Sequence, residues 1–458
     1  MASHPKHINH ELSPMACPID LADVDLFGEG AQEHWYEAYE ILHRDAPVLR
    51  LVDGGFAPGT DAFVLTKHAD LTMVVKDPER FPALGQARVG GYASEGLSAQ
   101  EAYAKYRSLM QASMVSLRPT QELYIRHRKE LTDPWVGTGA IRHRDMIAKH
   151  ANDLLDEWIA DGEVEFVSRF ARLLPQRVMA TILGFPLDDI PQLAEWGDAV
   201  VTPFVHGSGL KHEMTPQQTK DMLVRLAGFQ DYIYEHVRAK RREPHDDMVS
   251  FLCDVHYEAL DRKLTDLEIA GIVHAMILGG LETTQYALEE QAQLLCELPG
   301  MFERLRHDRA KVRAFTEEAM RMRSPTHGLS TRVTSRDEVF QGVAVPKGSL
   351  LHLRFGAANV DEDEFACPFD LDLEREGVTR HVAFSTGPRV CPGANLSRVE
   401  QQIAWGVLLD RIESIEYGEG NDWMHQPGIM LGTLKLNLRF SAAQTPLSLG
   451  TGRAPSSS

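Results

Sequence analysis

The chain has 458 residues, 43% hydrophobic and 25% charged, with 47 Lys+Arg against 66 Asp+Glu for a formal charge of −19. That apolar content supports a large buried core and excludes disorder and collagen-like structure. The acidic balance argues against nucleic acid, whose phosphates it would repel, although a local basic patch stays open. Length alone allows about three domains, but no Pro/Ser-rich linker separates two self-contained halves. The cysteines, at 17, 253, 296, 367 and 391, are few, odd in number and not closely paired. They point to a reducing cytoplasm rather than a disulfide framework. The N-terminal Met1-Ala-Ser-His-Pro-Lys-His-Ile-Asn-His holds no apolar run able to act as a secretory signal. The best membrane-span candidate, residues 270–280, is shorter than the roughly 18 residues a bilayer needs, and it contains His274.

In chain order, residues 1–20 read as a flexible extension and 21–445 as one domain. A helical period covers 31–44, and strand-like runs follow at 47–52 and 62–66. Residues 82–112, with Gly and Ser and weak periodicity, read as a long functional loop. Helical periods return at 147–160, 217–242, 266–298 and 310–321. Residues 338–355 read as a hairpin with Gly342 and Pro346-Lys347-Gly348 as its turn chemistry. The tail 446–458 is of low complexity and reads as disordered. The fold class is therefore mostly α with a smaller β portion.

The chemistry concentrates in His381-Val-Ala-Phe-Ser-Thr-Gly-Pro-Arg-Val-Cys-Pro-Gly393. Gly387 permits a tight turn, Cys391 ends it, and a helical pattern begins at Ala394. A cysteine before a helix N-terminus feels the positive end of the dipole and can be held as thiolate, and Arg389 adds a positive charge. A cysteine can equally be a small buried hydrophobe. The spacing Phe384-x-x-Gly387-x-Arg389-x-Cys391-x-Gly393 resembles the haem-binding loop of the cytochrome P-450 family. The resemblance implies that Cys391 is the axial thiolate of haem iron, with the long central helix over the haem.

Two upstream motifs stand in the order the family requires. Glu318-Ala-Met-Arg321 is similar to its ExxR element. Such a pair by itself is commonly a surface salt bridge; followed by Ser324-Pro325 and the cysteine loop, it reads as a buried structural ion pair. Gly279-Gly280-Leu281-Glu282-Thr283-Thr284 resembles the oxygen-binding kink of the central helix, although two glycines can also merely permit close packing. The resemblance implies that Glu282 relays protons from solvent and Thr283 holds the proton-donating water, with Gly279 and Gly280 leaving room for dioxygen.

For the haem propionates the family pattern points to Arg332 and His381, each of which could instead lie on the surface, and to Arg128 in Tyr124-Ile-Arg-His-Arg128, where Tyr124 replaces the usual His. Substrate-pocket positions by the same pattern are His274, Ile277 and Leu278 on the central helix, Thr326, His327 and Leu329 after the ExxR helix, and Met430 and Leu431 near the C-terminus. Histidines in such positions are more often packing residues. If His274 and His327 do line the pocket, the substrate carries polar oxygen functions, and residues 82–112 form its lid.

The resemblance implies a soluble, cytoplasmic monooxygenase holding haem b, with no bound flavin or iron–sulfur cluster in this chain. It would insert one atom of O2 into a small or medium-sized organic substrate, by hydroxylation or O-dealkylation. Electrons would come from a ferredoxin or similar donor with a separate reductase, docking on a proximal patch drawn from Arg118, Arg128, Lys129, Arg142, Arg144, Arg389 and Arg398. A peroxide-driven peroxygenase and a haem-based sensor or binding protein are the alternatives. The intact Glu282-Thr283 pair argues against both.

Overall fold

The computed structural model describes residues 17–28, 30–55, 59–83, 117–118, 120–206, 215–328, 330–421, 425 and 428–443. The expected N-terminal extension up to residue 16, the loop beyond residue 83, Leu329 and the tail lie outside the described residues.

Helices make most of the chain: α1 (Trp35–Asp45), α2 (His68–Lys76), α3 (Gln121–His127), α4 (Arg144–Asp156), α5 (Leu173–Leu183), α6 (Ile190–His206), α7 (Pro216–Arg242), α8 (Met248–Asp254), α9 (Asp266–Gly280), α10 (Thr283–Glu297), α11 (Met301–His307), α12 (Val312–Met322), α13 (Phe355–Ala358) and α14 (Ala394–Arg411). The strands are β1 (Val48–Leu51), β2 (Ala62–Leu65), β3 (Glu163–Glu165), β4 (His256–Tyr257), β5 (Arg262–Lys263), β6 (Thr331–Val333), β7 (Glu338–Phe340), β8 (Val343–Val345), β9 (Leu350–Leu353), β10 (Ile412–Tyr417) and β11 (Asn437–Ala442).

The central element begins with a capping box. Thr265 Oγ1 accepts from the Glu268 N–H at 3.3 Å, and the Glu268 carboxylate accepts from the Thr265 N–H at 2.8 Å. Beyond it α9 is apolar on all sides, with Ile269, Ile272, Val273, Met276 and Ile277 buried, as a helix at the middle of a core must be. The stretch Asp266–Glu297 is long and apolar enough on composition to cross a membrane, but 61% of its most apolar window is buried inside the protein.

The expected single helix over 266–298 is two helices, α9 and α10, separated by Leu281 and Glu282. Residues 338–355 also differ from a single hairpin. β7 and β8 pair antiparallel, with Gln341 and Gly342 both at positive φ in the turn. β9 leaves them and joins β2 in parallel and β6 antiparallel, giving the order β1-β2-β9-β6. All four β9 residues are buried, so its place is decided by distant partners rather than by the nearest turn. A second sheet runs β10-β11-β3 and closes on the helical core through Trp158, Phe166, Phe440 and Trp405.

Candidate active site

A cavity of 330 Å³ lies between the α9–α10 break and the loop that leads into α14. One wall carries Met276, Leu278, Gly279, Gly280, Glu282 and Thr283; the opposite wall carries Phe384, Arg389, Cys391 and Gly393. The break therefore faces the cysteine.

Local chemistry shapes both walls. In the cysteine loop, Gly387 has φ +71, and a Cβ there would also lie 3.1 Å from the Val75 carbonyl at the end of α2. Glycine is required on both counts. The loop is closed by the Cys391 N–H donating to the Phe384 carbonyl at 2.9 Å, and Gly393 is the N-cap of α14. On the other wall, the Thr283 hydroxyl donates to the Gly279 carbonyl at 2.8 Å, capping the end of α9. A Cβ on Gly280 would come within 2.8 Å of the Met179 side chain, so this glycine serves helix packing against α5. A Cβ on Gly279 would meet nothing within 4 Å.

Burial pushes the Cys391 thiol up, against the pull of the Gly393 and Ala394 N–H groups, Arg128 and Arg398. The helix terminus and its cations thus do not by themselves hold a thiolate; a metal cation binding the sulfur would supply what is lacking.

Around Arg389, which lines the cavity, gather the basic side chains of Arg332, Arg118, Arg128 and His127. Arg332 on β6 is buried, and its pKa is lowered to about 10 by burial first and by Arg389 second. Among the described residues Arg389 Nε is buried without a hydrogen-bond partner, and its Cζ stands 4.7 Å from the Tyr124 ring centroid; Arg118 covers the same ring at 4.9 Å. Both ring nitrogens of His127 are buried and have no partner among the described residues, and burial, with Arg118 and Arg128, lowers its pKa to about 3. A set of buried donors this positive calls for an anionic ligand, and a dianionic haem fits it.

Several expected residues are placed elsewhere. His381 does not join this group: Nε2 faces Glu317 Oε2 at 3.0 Å, and Nδ1 accepts from the Ala383 N–H at 3.2 Å. Glu317 also takes Arg398, so its carboxyl is held down at about 2. Arg128 donates to the Val390 carbonyl at 2.5 Å and pairs with Asp133 at 3.7 Å, bracing the cysteine loop; like Arg332, Arg118 and His127 it stands outside the cavity wall itself. Gly387 also lies outside the cavity wall. Arg118 and His127 are the additions; a single Arg before Pro119 and a His one residue off the expected helical face carry no motif signal.

Glu318 and Arg321 pair at 2.7 Å, 1% and 0% exposed, and Arg375 takes the second carboxylate oxygen. Arg321 also donates to the carbonyls of Asn359 at 3.0 Å and Pro368 at 2.6 Å. The pair is structural, locking residues 359–375 against α12.

Of the expected pocket residues, Leu278, Thr326 and Met430 line the cavity. His274 packs against Phe229 of α7, with ring centroids 5.9 Å apart, and Ile277 is core. His327 is fully buried, with Nδ1 bound to the Tyr39 hydroxyl at 2.8 Å, and Leu431 packs with Trp35 and Tyr39. The two histidines are packing residues.

Residues 212–440, half of the chain, match the cytochrome P450 family model. The chain is 28% identical to the cyclomarin C epoxidase CymV of Salinispora arenicola over 83% of this chain and 91% of that one. It is 28% identical to cytochrome P450 107B1 of Saccharopolyspora erythraea over 92% and 99% respectively. Among solved structures it is similar to P450BioI in complex with a hexadec-9Z-enoic acid-ligated acyl carrier protein, with TM-score 0.75 and 25% identity over 90% of this chain and 99% of that one. Motif order, opposed cavity walls and these likenesses agree: the chain belongs to the cytochrome P450 family, and is a haem-dependent monooxygenase that takes an organic substrate, O2 and electrons from redox partner proteins.

Proposed function

We propose that this protein is a cytoplasmic haem b monooxygenase with Cys391 as the axial thiolate, acting on a neutral, largely apolar organic substrate by hydroxylation or O-dealkylation. The observation that carries this reading is Cys391 facing Thr283 and Gly279 across one cavity. When bound, haem supplies the activation of O2. Arg332, Arg389, Arg118 and His127 would hold its carboxylates. The substrate class follows from Met179, Ala275, Met276, Leu278 and Met430 in the lining and from the absence of His274 and His327 there.

Thr283 already donates its proton to Gly279, so its hydroxyl offers lone pairs to a water in the cavity and orients that water's protons. Thr283→Ala is expected to keep haem and substrate binding while diverting electrons from product to hydrogen peroxide. The check is product formed per NAD(P)H consumed with a well-fitting substrate. Thr284 also borders the cavity, but its hydroxyl donates to Ser397 Oγ at 2.9 Å. Thr284→Ala should cost about 1 kcal/mol of stability and leave coupling intact. Peroxide leakage from Thr284→Ala alone would reverse the two roles.

The electron donor is of ferredoxin type. Arg118 and Arg389 lie in the partly buried cation group, Arg398 pairs with Glu317 and Arg142 pairs with Asp246 at 3.3 Å, so Lys129 and Arg144 are the exposed cations offered for docking an acidic partner. Reduction by ferredoxin should slow steeply between low salt and about 0.5 M, where the Debye length falls to a few ångströms. A rate that ignores salt would remove electrostatic docking.

A further inference from the structure

Glu282 does not stand alone at the helix break. One turn on, the Tyr286 hydroxyl donates to Glu282 Oε2 at 2.6 Å, and both side chains are buried, at 5% and 9% exposure for Tyr286 and Glu282. The Tyr286 ring is packed with Ile429 and Met430, so the hydroxyl is presented from a fixed position. We propose that Tyr286 is a positioning residue for proton delivery, holding the Glu282 carboxyl in one orientation and stabilising its ionised form. This rests on the reading of Glu282 as the relay acid.

The charges around Glu282 explain why such a partner matters. Burial raises its pKa to about 7, and the Tyr286 hydrogen bond is the first of the opposing influences, ahead of repulsion from Asp198 and attraction to Arg172. Asp198 on α6 and Arg172, just before α5, pair with each other at 2.9 Å and so largely offset one another at Glu282. The phenol is left as the main counterweight to desolvation. A relay acid works best with its pKa near the working pH, where it gives up a proton and regains one with similar ease. Without the phenol, Glu282 would keep its proton to higher pH and lose its fixed orientation.

Tyr286→Phe tests this, because it removes only the hydroxyl and keeps the ring among Ile429 and Met430. The protonated Glu282 carboxyl is followed by pH-titrated infrared difference spectroscopy, assigned through its loss in Glu282→Gln. Product per electron is measured over the same pH range. The band should titrate near pH 7 in the wild type and about one pH unit or more higher in Tyr286→Phe, since a hydrogen bond to a charged group is lost. The alkaline fall in coupling should move with it, because the carboxyl then holds its deliverable proton to higher pH. An unmoved band in Tyr286→Phe overturns the role of Tyr286 while leaving Glu282 as relay, provided Glu282→Gln abolishes the alkaline limb. A limb and coupling that persist in Glu282→Gln overturn the relay reading, and the role of Tyr286 with it.

Discussion

Cys391→His is expected to abolish the absorption of thiolate-ligated haem in the reduced, carbon monoxide-bound protein and leave at most an imidazole-type band. The thiol lies in the cavity wall at the end of a loop closed by its own N–H, and among the described residues the remaining cysteines lie outside that wall. No other cysteine can supply a thiolate there without rebuilding the loop. Because burial raises the thiol pKa in the metal-free chain, the proton must leave as iron binds, so haem uptake by apoprotein should release a proton and slow as pH falls. A wild-type protein showing only imidazole-type absorption would overturn the assignment.

Arg321→Ala is expected to yield little or no haem-loaded protein. Removing one partner of a buried ion pair costs about 3–5 kcal/mol, which is a large part of the 5–15 kcal/mol that typically holds a domain together. Glu318 keeps Arg375, but the carbonyls of Asn359 and Pro368 lose a buried donor, and those residues begin the segment that carries the chain to the cysteine loop. Arg321→Lys should recover only part of the loss, since an ammonium cannot reach the carboxylate and both carbonyls with the same fork. The haem-to-protein ratio and the thermal midpoint are the measurements. A fully loaded Arg321→Ala protein with unchanged Tm would contradict the structural role.

The fold and the core of the site were legible where the controlling interactions are local. The Phe384–Gly393 spacing works because Gly387 must adopt positive φ and Cys391 must close back on Phe384, both within ten residues. The Glu318–Arg321 pair is one helical turn apart, and the Thr283 hydroxyl caps a carbonyl four residues back. Such contacts are set by covalent neighbours and helix geometry, so a residue pattern carries them directly.

Cation placement depended on partners far along the chain. His381 and Arg332 look equally suited to bind a carboxylate, yet Glu317, 64 residues away, claims His381, whereas among the described residues Arg332 meets no carboxylate and donates to the Thr331 carbonyl at 2.9 Å. His327 was drawn inward by Tyr39, 288 residues distant, which makes the cavity wall more apolar than its sequence neighbourhood suggests. β9 follows the same logic, its partner β2 being unreadable from the turn beside it. The family was legible in the residue pattern, and so was the placing of the Phe384–Gly393 loop and the Glu282-Thr283 pair on one cavity, because each is written in spacings of a few residues. The tertiary structure alone decided which buried charges are already neutralised and which await a ligand, because that depends on what the fold brings within hydrogen-bonding distance in a medium where an unpaired charge is costly.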